Sequence, residues 1–516
     1  MSRAGRIDRD QLDRLRDGIA SHNGCCAALT AMAPSDRRVL TVPMKPITDL
    51  PEQFVKRMAA LLGDELGSFL HAMADDRVRG ARANPRKIEP AALGPLLDVD
   101  LRPVPWSPSG FILPPNATLG GHPAHVAGLF YLQEPSAMSV AHALALPPGA
   151  RVVDLAAAPG GKTTHLASLL GPDGLVLAVD ADTTRLGSLH ESLDMWGAAN
   201  VVTMRSPMER LAETGIEPFD AAVLDAPCSG EALFRRNPAA LREWSPEMVR
   251  GCARRQARML ARAAEVLRPG GVLVYSTCTF EVAENEDQLA TLLAEQPGWE
   301  LEELSVPGGA VEGVALDAAP TQRAARLWPH QVEGDGQFVA LLRRHGAPPE
   351  PAAQRSRPRR SRKGPGGGEE AQLRSGWADF RRRYLPGLAV PDDRLLIRAD
   401  RAFLLPSESS GVDNDRLARP GLPLGRQRPG RFEPAPALAT ALTSNQVAES
   451  ISWQAHDPRL VAYLRGETVH SAGPDGWALI CFDRWPVAWS RRRGGVLKNM
   501  VPGHIRTRVS RSAQTH

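Results

Sequence analysis

The chain has 516 residues, 43% hydrophobic and 23% charged, with a formal net charge of +4 and six cysteines. That length suits roughly two to four domains with ordinary buried cores, and no apolar run approaches the ~18 residues of a membrane-spanning helix. The N-terminus (Arg3, Arg6, Asp8, Arg9, Asp10) lacks the apolar stretch of a signal peptide, and the cysteines form no metal-type Cys-x-x-Cys pair. These features predict a reduced, cytoplasmic enzyme with no metal centre and no membrane contact.

Residues 1–43 read as a peripheral extension, with a short helix over 10–19 and an adjacent Cys25-Cys26 pair, or as sequence ahead of a start near Met44. Phe54, Met58, Leu61, Leu62, Leu66, Phe69, Leu70 and Met73 then keep helical spacing. Residues 84–145 mix short apolar runs with Pro and Gly, so 44–145 is expected to form a small N-terminal α/β domain. The stretch 151–165 follows. Val152, Val153 and Leu155 predict a buried strand, Ala156 to Gly161 a tight loop, and Leu166, Leu169 and Leu170 a helix. A strand, a small-residue loop and a helix start make a ligand cradle, because the backbone can come close and the helix offers free N–H donors.

Two cradles compete. Ala156 to Thr163 matches a phosphate-binding loop except that Ala156 replaces the first glycine. A nucleoside cradle instead needs an acid at the end of the next strand, and Leu175 to Asp180 supplies both. The second reading is favoured. A phosphate-loop NTPase with Asp225 as its magnesium-binding acid is the rival.

Across 146–345, strand signals at 151–155, 175–180, 200–204, 220–225 and 271–276 alternate with helices at 163–170, 183–196, 245–267 and 282–296. A late strand pair is expected near 338–343. This alternation predicts a mostly parallel, doubly wound α/β sheet with ligands at the carboxyl ends of its strands. Residues 346–374, rich in Pro, Gly, Arg and Ser, read as a basic linker. Beyond them 375–516 forms a separate region, split near 430, with 445–464 read as helical and 477–489 as a β-hairpin. Arg355, Arg357, Arg359, Arg360, Arg362 and Lys363 form one basic run, and Arg484 to Arg511 follow the chain's last acid, Asp483. Such segments suit RNA, or are simply solvated. Trp477, Phe482, Trp485 and Trp489 beside these cations resemble a small RNA-binding barrel, although most of them taken singly are expected to be core.

Two cysteines complete the constellation. The strand ending at Leu224 runs into Asp225-Ala-Pro-Cys228-Ser-Gly-Glu231, and the strand ending at Tyr275 into Ser276-Thr-Cys278-Thr-Phe280. Both thiols are therefore expected in one pocket with the cofactor loop. Cytosine chemistry gives such a pair a use. A thiolate added to carbon 6 makes carbon 5 nucleophilic toward a sulfonium methyl donor, and a second acid/base group helps undo the adduct. The base must leave its stack to be reached.

These motifs, with Glu284-Asn-Glu286, Tyr131 to Met138, Arg326-Leu-Trp-Pro-His330 and Gly334 to Phe338, resemble the RNA 5-methylcytosine methyltransferases of the NOL1/NOP2/Sun family. Arg419 to Gly425, Arg431 to Pro434 and Leu497-Lys-Asn499 are similar to its RsmF (YebU) type, which acts on 16S ribosomal RNA and carries a C-terminal PUA-like region. The resemblance covers about 44–345 well and 375–510 more loosely. It implies a Rossmann-like methyltransferase core over 146–345 and a PUA-like RNA-binding domain near 431–516. The implied cofactor is S-adenosylmethionine and the implied partner is RNA, most of all 16S rRNA or the small ribosomal subunit, rather than DNA. Transfer RNA or 23S rRNA as substrate, or a catalytically silent RNA-binding assembly protein, are the alternatives. Relatives acting at another 16S position carry an all-helical N-terminal domain for which residues 1–100 are too short.

Carried onto this chain, the resemblance makes Cys278 the nucleophile and Cys228 the residue that assists adduct breakdown. Asp225 would contact cytosine beside the cofactor's methionine part. Ala156, Ala157, Ala158, Pro159, Gly160, Gly161 and Lys162 would wrap the cofactor, with Lys162 near the reacting centre. Asp180 would bind its ribose, and Arg185 would support the site or lie on the surface. Many relatives place an aspartate after the strand at 200–204 to meet adenine. Here the run is Arg205-Ser-Pro207, so backbone or apolar contacts are expected to serve instead.

Overall fold

The structure, a computed structural model, describes residues 50–304, 323–346, 367–408 and 412–512. The readings of 1–43 and of the 355–363 basic run lie outside those residues.

Helices Glu52–Leu62 and Leu66–Ala74 open the described chain. A four-stranded antiparallel sheet follows, formed by β1 (Gly80–Ala83), β2 (Arg102–Val104), β3 (Ser107–Ile112) and β4 (Phe130–Leu132) in the order β2-β3-β1-β4. The apolar stripe of the helices faces the central α/β domain. Phe54 sits 5.3 Å from Phe234, and Phe69 packs edge-on to Phe280 at 5.3 Å and to Trp328 at 5.8 Å. Each such ring buries about 150–250 Å², so these contacts seat the first helices against the loops that carry the cysteines.

The central sheet contains β5 (Arg151–Asp154), β6 (Leu175–Asp180), β7 (Val201–Arg205), β8 (Phe219–Asp225), β9 (Leu267–Thr277), β10 (Trp299–Glu302), β11 (Ala325–Leu327) and β12 (Gln337–Arg344). Its order is β10-β12-β9-β8-β5-β6-β7, with β11 paired to β12. β5 to β9 run parallel, while β10, β11 and β12 are antiparallel to their partners. Parallel strands covered on both faces require near-continuous apolar runs. Accordingly Val152, Val176 and Ala178 belong to one core layer, and Val153, Leu177 and Leu224 to the other. The order reverses beside β5, whose neighbours are β6 and β8, and this places the crevice for a ligand at their carboxyl ends.

Helices Gly161–Leu169, Thr183–Trp196, Pro246–Ala263 and Glu286–Glu295 lie close to their expected spans. The late strand pair near 338–343 is instead one long strand, β12, flanked by β9, β10 and β11. No helix among the described residues is long and apolar enough to cross a membrane.

Helix Gly367–Tyr384 begins inside the stretch expected to be a linker. Leu373, Trp377 and Phe380 recur at helical spacing and are buried, so tertiary packing overrides the glycine-rich start. Next comes the sheet β13 (Leu395–Arg398), β14 (Arg401–Leu404), β15 (Leu422–Arg428) and β16 (Arg431–Pro434). A second sheet contains β17 (Ser450–Trp453), β18 (Val469–His470), β19 (Gly476–Phe482), β20 (Trp485–Arg493) and β21 (Val496–Asn499). The expected helix over 445–464 is corrected. Ser-Ile-Ser-Trp alternates as a strand and pairs parallel with β19, and the helix is confined to Pro458–Arg465. The hairpin is present as β19 and β20. Trp477, Phe482 and Trp489 are only 7%, 1% and 3% exposed, so these three rings serve as core and do not form an open stacking surface.

Candidate active site

Polar side chains close the carboxyl ends of the central strands: Asp154 on β5, Asp180 on β6, Asp225 on β8 and Thr277 on β9. The loop from Leu155 to Gly160 is held from both sides, since Leu155 N–H donates to Val223 O at 2.9 Å and Ala157 N–H to Val179 O at 3.0 Å. Gly160 turns the chain at φ +112°, where a Cβ would stand 3.0 Å from both Leu189 and Ser192. That left-handed turn suits glycine, and it delivers the N-terminus of helix Gly161–Leu169 to the crevice. Beneath the helix, fully buried Arg82 donates to Gln133 Oε1 and Thr164 Oγ1 at 2.8 Å and to Gly161 O at 3.1 Å. Its guanidinium lies 4.7 Å from the Trp196 ring centre.

The expected site residues fall into two groups. In the first, Asp180 is 5% exposed and accepts from Asp182 N–H at 3.0 Å and Ala158 N–H at 3.3 Å. Arg185 donates to Ala158 O at 2.7 Å and reaches Asp180 at 3.4 Å while half its side chain stays in solvent. Its visible role is to brace the loop. In the second group, Lys162 Nζ lies 2.6 Å from Asp225 Oδ2. The other carboxylate oxygen, Oδ1, accepts from Ser276 Oγ at 2.8 Å and Gln337 Nε2 at 3.2 Å. Burial alone would lower the Lys162 pKa, but the charge and hydrogen bond of Asp225 outweigh it and raise it. The ammonium therefore stays charged.

Cys228 and Cys278, 50 residues apart in sequence, meet with 3.4 Å between their Sγ atoms. Cross-links between the β8 and β9 ends impose this. Ala226 N–H donates to Ser276 O at 2.8 Å, Ala232 N–H to Cys278 O at 3.1 Å, and Ser229 and Thr279 hydroxyls meet at 2.8 Å. The hydrogen bond from Cys228 lowers the Cys278 pKa despite burial, with the Lys162 charge acting in the same direction. The same bond, together with burial and the charge of Cys278, raises Cys228. Of the two thiols, Cys278 is therefore the more readily ionised and Cys228 the more firmly protonated.

Several supporting groups had no predicted role. Asp154 accepts from Thr163 Oγ1 at 2.7 Å, and burial pushes its carboxyl up to about 6. Glu284 accepts from Ser229 N–H at 3.0 Å and Gln256 Nε2 at 2.9 Å, and burial pushes it up to about 7. Glu231 accepts from Phe280 N–H at 3.0 Å, Trp244 Nε1 at 2.9 Å and Arg57 at 2.6 Å. Arg326 grips Glu286 with two bonds of 2.6 and 2.5 Å and donates to Phe280 O at 3.0 Å. Charged residues inside otherwise apolar or motif-rich stretches, such as Arg82 in Gly-Ala-Arg-Ala, were the available signal.

Comparison with known proteins bears on the whole chain. Family models match in order: the N-terminal domain of 16S rRNA methyltransferase RsmF at 50–135, 16S rRNA methyltransferase RsmB/F at 141–343, the RsmF rRNA methyltransferase first C-terminal domain at 379–442, and the methyltransferase RsmF PUA domain at 452–507. Ribosomal RNA small subunit methyltransferase F of Serratia proteamaculans is 30% identical over 479 residues, covering 88% of this chain and 96% of that protein. The chain belongs to the 16S rRNA methyltransferase RsmB/F family. The Vibrio cholerae (strain M66-2) small subunit methyltransferase F is likewise 30% identical, over 90% of this chain and 98% of its own. A methyltransferase homolog protein from Pyrococcus horikoshii superposes with a TM-score of 0.51 at 33% identity, covering 57% of this chain and 95% of that one. As a member of the RsmB/F family the chain is an RNA methyltransferase, and its methyl donor is S-adenosylmethionine.

Proposed function

We propose that this chain methylates carbon 5 of cytosine in 16S ribosomal RNA through a covalent adduct of Cys278 at carbon 6. The observation that carries the proposal is the pair of thiols 3.4 Å apart in the crevice that also holds the Lys162–Asp225 ion pair. The names of the small-subunit relatives support 16S rRNA as the substrate.

The donor set fits S-adenosylmethionine, which supplies the methyl group. The first N–H groups of helix Gly161–Leu169 suit its carboxylate, Asp180 its ribose hydroxyls, and Ala156 to Gly161 leave room for close approach. Asp225, at the end of β8, would meet both the cytosine ring and the positive methionine end, and Lys162 balances its charge.

Cys278, the more readily ionised of the two thiols, adds to carbon 6 as the thiolate. The π electrons move onto carbon 5, which would take the methyl group from the sulfonium while the S–CH3 bonding pair stays on sulfur and S-adenosylhomocysteine leaves. Breakdown removes the carbon 5 proton, and the returning electron pair expels the Cys278 thiolate. Cys228 suits the proton transfer for a physical reason. Its pKa is raised by its hydrogen bond to Cys278, by burial and by the charge of that neighbour. Adduct formation removes both the negative charge and the acceptor, so Cys228 becomes easier to deprotonate at the step that needs a base.

The test is bisulfite sequencing of total RNA from cells with and without the gene, complemented by wild type or Cys278→Ala. Protected cytosines in 16S rRNA that only wild type restores are the expected result. Sites lost from tRNA instead would overturn the substrate, and an unchanged map would overturn the activity.

A further inference from the structure

Away from the cysteines, the C-terminal half contains a second concave surface of about 680 Å³. It lies where helix Gly367–Tyr384, the β15–β16 hairpin and the β19–β20 hairpin meet. Its lining brings Arg383 from the helix, Arg431 from β16, and Arg491, Arg492 and Arg493 from β20 to one groove. Arg492 is buried and paired with Glu449 at 2.6 Å, but three of the five arginines are not paired. Among the described residues Arg383, Arg491 and Arg493 form no ion pair, and all three are exposed. Arg431 stands 3.7 Å from Glu433, which already meets Arg426 at 2.6 Å. Asp379 faces Arg382 at 3.4 Å, and Asp475 keeps its charge while accepting from Gly494 N–H at 2.8 Å, so the lining arginines still outnumber the lining acids.

The groove also has a flat, partly exposed ring. Tyr384 lines it with the Arg383 guanidinium 5.2 Å from its ring centre, and the buried rings of Phe380 and Trp477 lie in the wall beneath. Unpaired cations beside an aromatic face are what a single nucleic-acid strand requires: charge for its phosphates and a platform for one base. The volume is that of a small-ligand cleft, of order 300–1,000 Å³.

We propose that this groove binds a single RNA strand, with Arg383, Arg491 and Arg493 on its phosphates and Tyr384 under a base. The proposal rests on the RNA-methyltransferase reading only for the choice of RNA as the polyanion. The groove would hold substrate away from the reacting base and so set affinity without touching the chemistry.

The experiment measures binding of a labelled single-stranded 16S rRNA fragment to the full chain across a salt series. Each phosphate contact in a single strand contributes about 0.7 to the slope of log affinity against log salt. The Arg383→Ala, Arg491→Ala, Arg493→Ala triple variant should therefore lose about 2 from the slope and bind roughly tenfold or more weakly. Its methylation rate at saturating RNA should match wild type. The corresponding triple lysine variant should keep the slope, and Tyr384→Ala should weaken binding without changing it. A triple alanine variant with the wild-type slope and an unchanged melting temperature overturns the proposal. Binding is read without methyl transfer, so an inactive wild type that shows the slope change refutes the activity and leaves the groove standing.

Discussion

Replacing Cys228 with alanine tests both halves of the proposed chemistry. The two Sγ atoms lie 3.4 Å apart, and Cys228 is the donor that steadies Cys278 as thiolate. Hydrogen bonds to charged groups contribute about 1.5–3 kcal/mol, and a sulfur pair falls at the low end. At about 1.4 kcal/mol per pKa unit, losing that donor raises Cys278 by about one unit and cuts its thiolate roughly tenfold below the new pKa. The remaining stabilisation comes from the charges of Lys162 and Arg236, which the variant keeps. The assay is the pH dependence of iodoacetamide alkylation, read by mass spectrometry on the peptide that carries Cys278. An unchanged or lower midpoint in Cys228→Ala would refute the assigned direction of that hydrogen bond. The second consequence appears with substrate. If Cys228 handles the proton at breakdown, the variant mixed with RNA and S-adenosylmethionine accumulates a protein–RNA species that survives denaturing electrophoresis. The Cys228→Ala, Cys278→Ala double variant should show none. A band of equal strength in the double variant would remove Cys278 from the nucleophile role.

Gly160→Ala places a side chain at φ +112° with 3.0 Å contacts to Leu189 and Ser192. It should cost about 1–3 kcal/mol and weaken S-adenosylmethionine roughly tenfold by calorimetry, and full affinity would show that the loop does not hold the cofactor. Glu284 gives a pH signature. Its folded pKa is raised from 4.5 to about 7, so the native state holds the proton more tightly than the unfolded chain. That contribution is complete below about pH 4.5 and is lost as pH rises through 7. Glu284→Gln should flatten the decline in denaturation free energy between pH 5 and 8, as expected for a loss over roughly that window. Parallel curves for the two proteins would assign the decline to other groups.

The catalytic sheet and its site were legible because they obey local rules. Val152, Val153, Leu177 and Val179 lie in short runs bounded by turn residues, and Gly160 occupies a turn that needs it. The cysteines could be placed together because each follows a strand of one parallel sheet. What was not legible depends on partners distant in sequence. Glu231 gains its meaning from Arg57, 174 residues away, and nothing in the local pattern at either position announces the bond. The start of helix Gly367–Tyr384 was hidden for the converse reason, since its composition is that of a linker until Leu373 and Trp377 find a core. β17 is four residues long and pairs parallel with β19, so the helical spacing that continues beyond it dominated the local signal.

The attachment of the C-terminal region to the catalytic sheet yields the last test. Thr203 on the edge strand β7 exchanges backbone bonds with the segment before β15: its N–H donates to Arg419 O at 2.8 Å, and its carbonyl accepts from Ala418 N–H at 2.8 Å. An edge that would otherwise be open is thereby covered. Arg419, buried, fixes the junction by donating to Asp194 Oδ1 at 2.5 Å and to Gly421 O at 3.1 Å. Gly197 is open enough for the helix Pro436–Ala441 to settle there, since a Cβ would stand 2.6 Å from Thr440 O. The junction therefore sets where the arginine groove stands relative to Cys278. Arg419→Leu leaves Asp194 unpaired. Because Asp194 is 29% exposed, water recovers part of the loss and the cost is about 1–3 kcal/mol. Cofactor affinity should hold while the KM for RNA rises several-fold. Adding Asp194→Leu should return part of the stability, because both partners of the ion pair are then gone. A variant that keeps its KM for RNA but loses S-adenosylmethionine would show that this contact serves the cofactor crevice and does not set the alignment of the RNA.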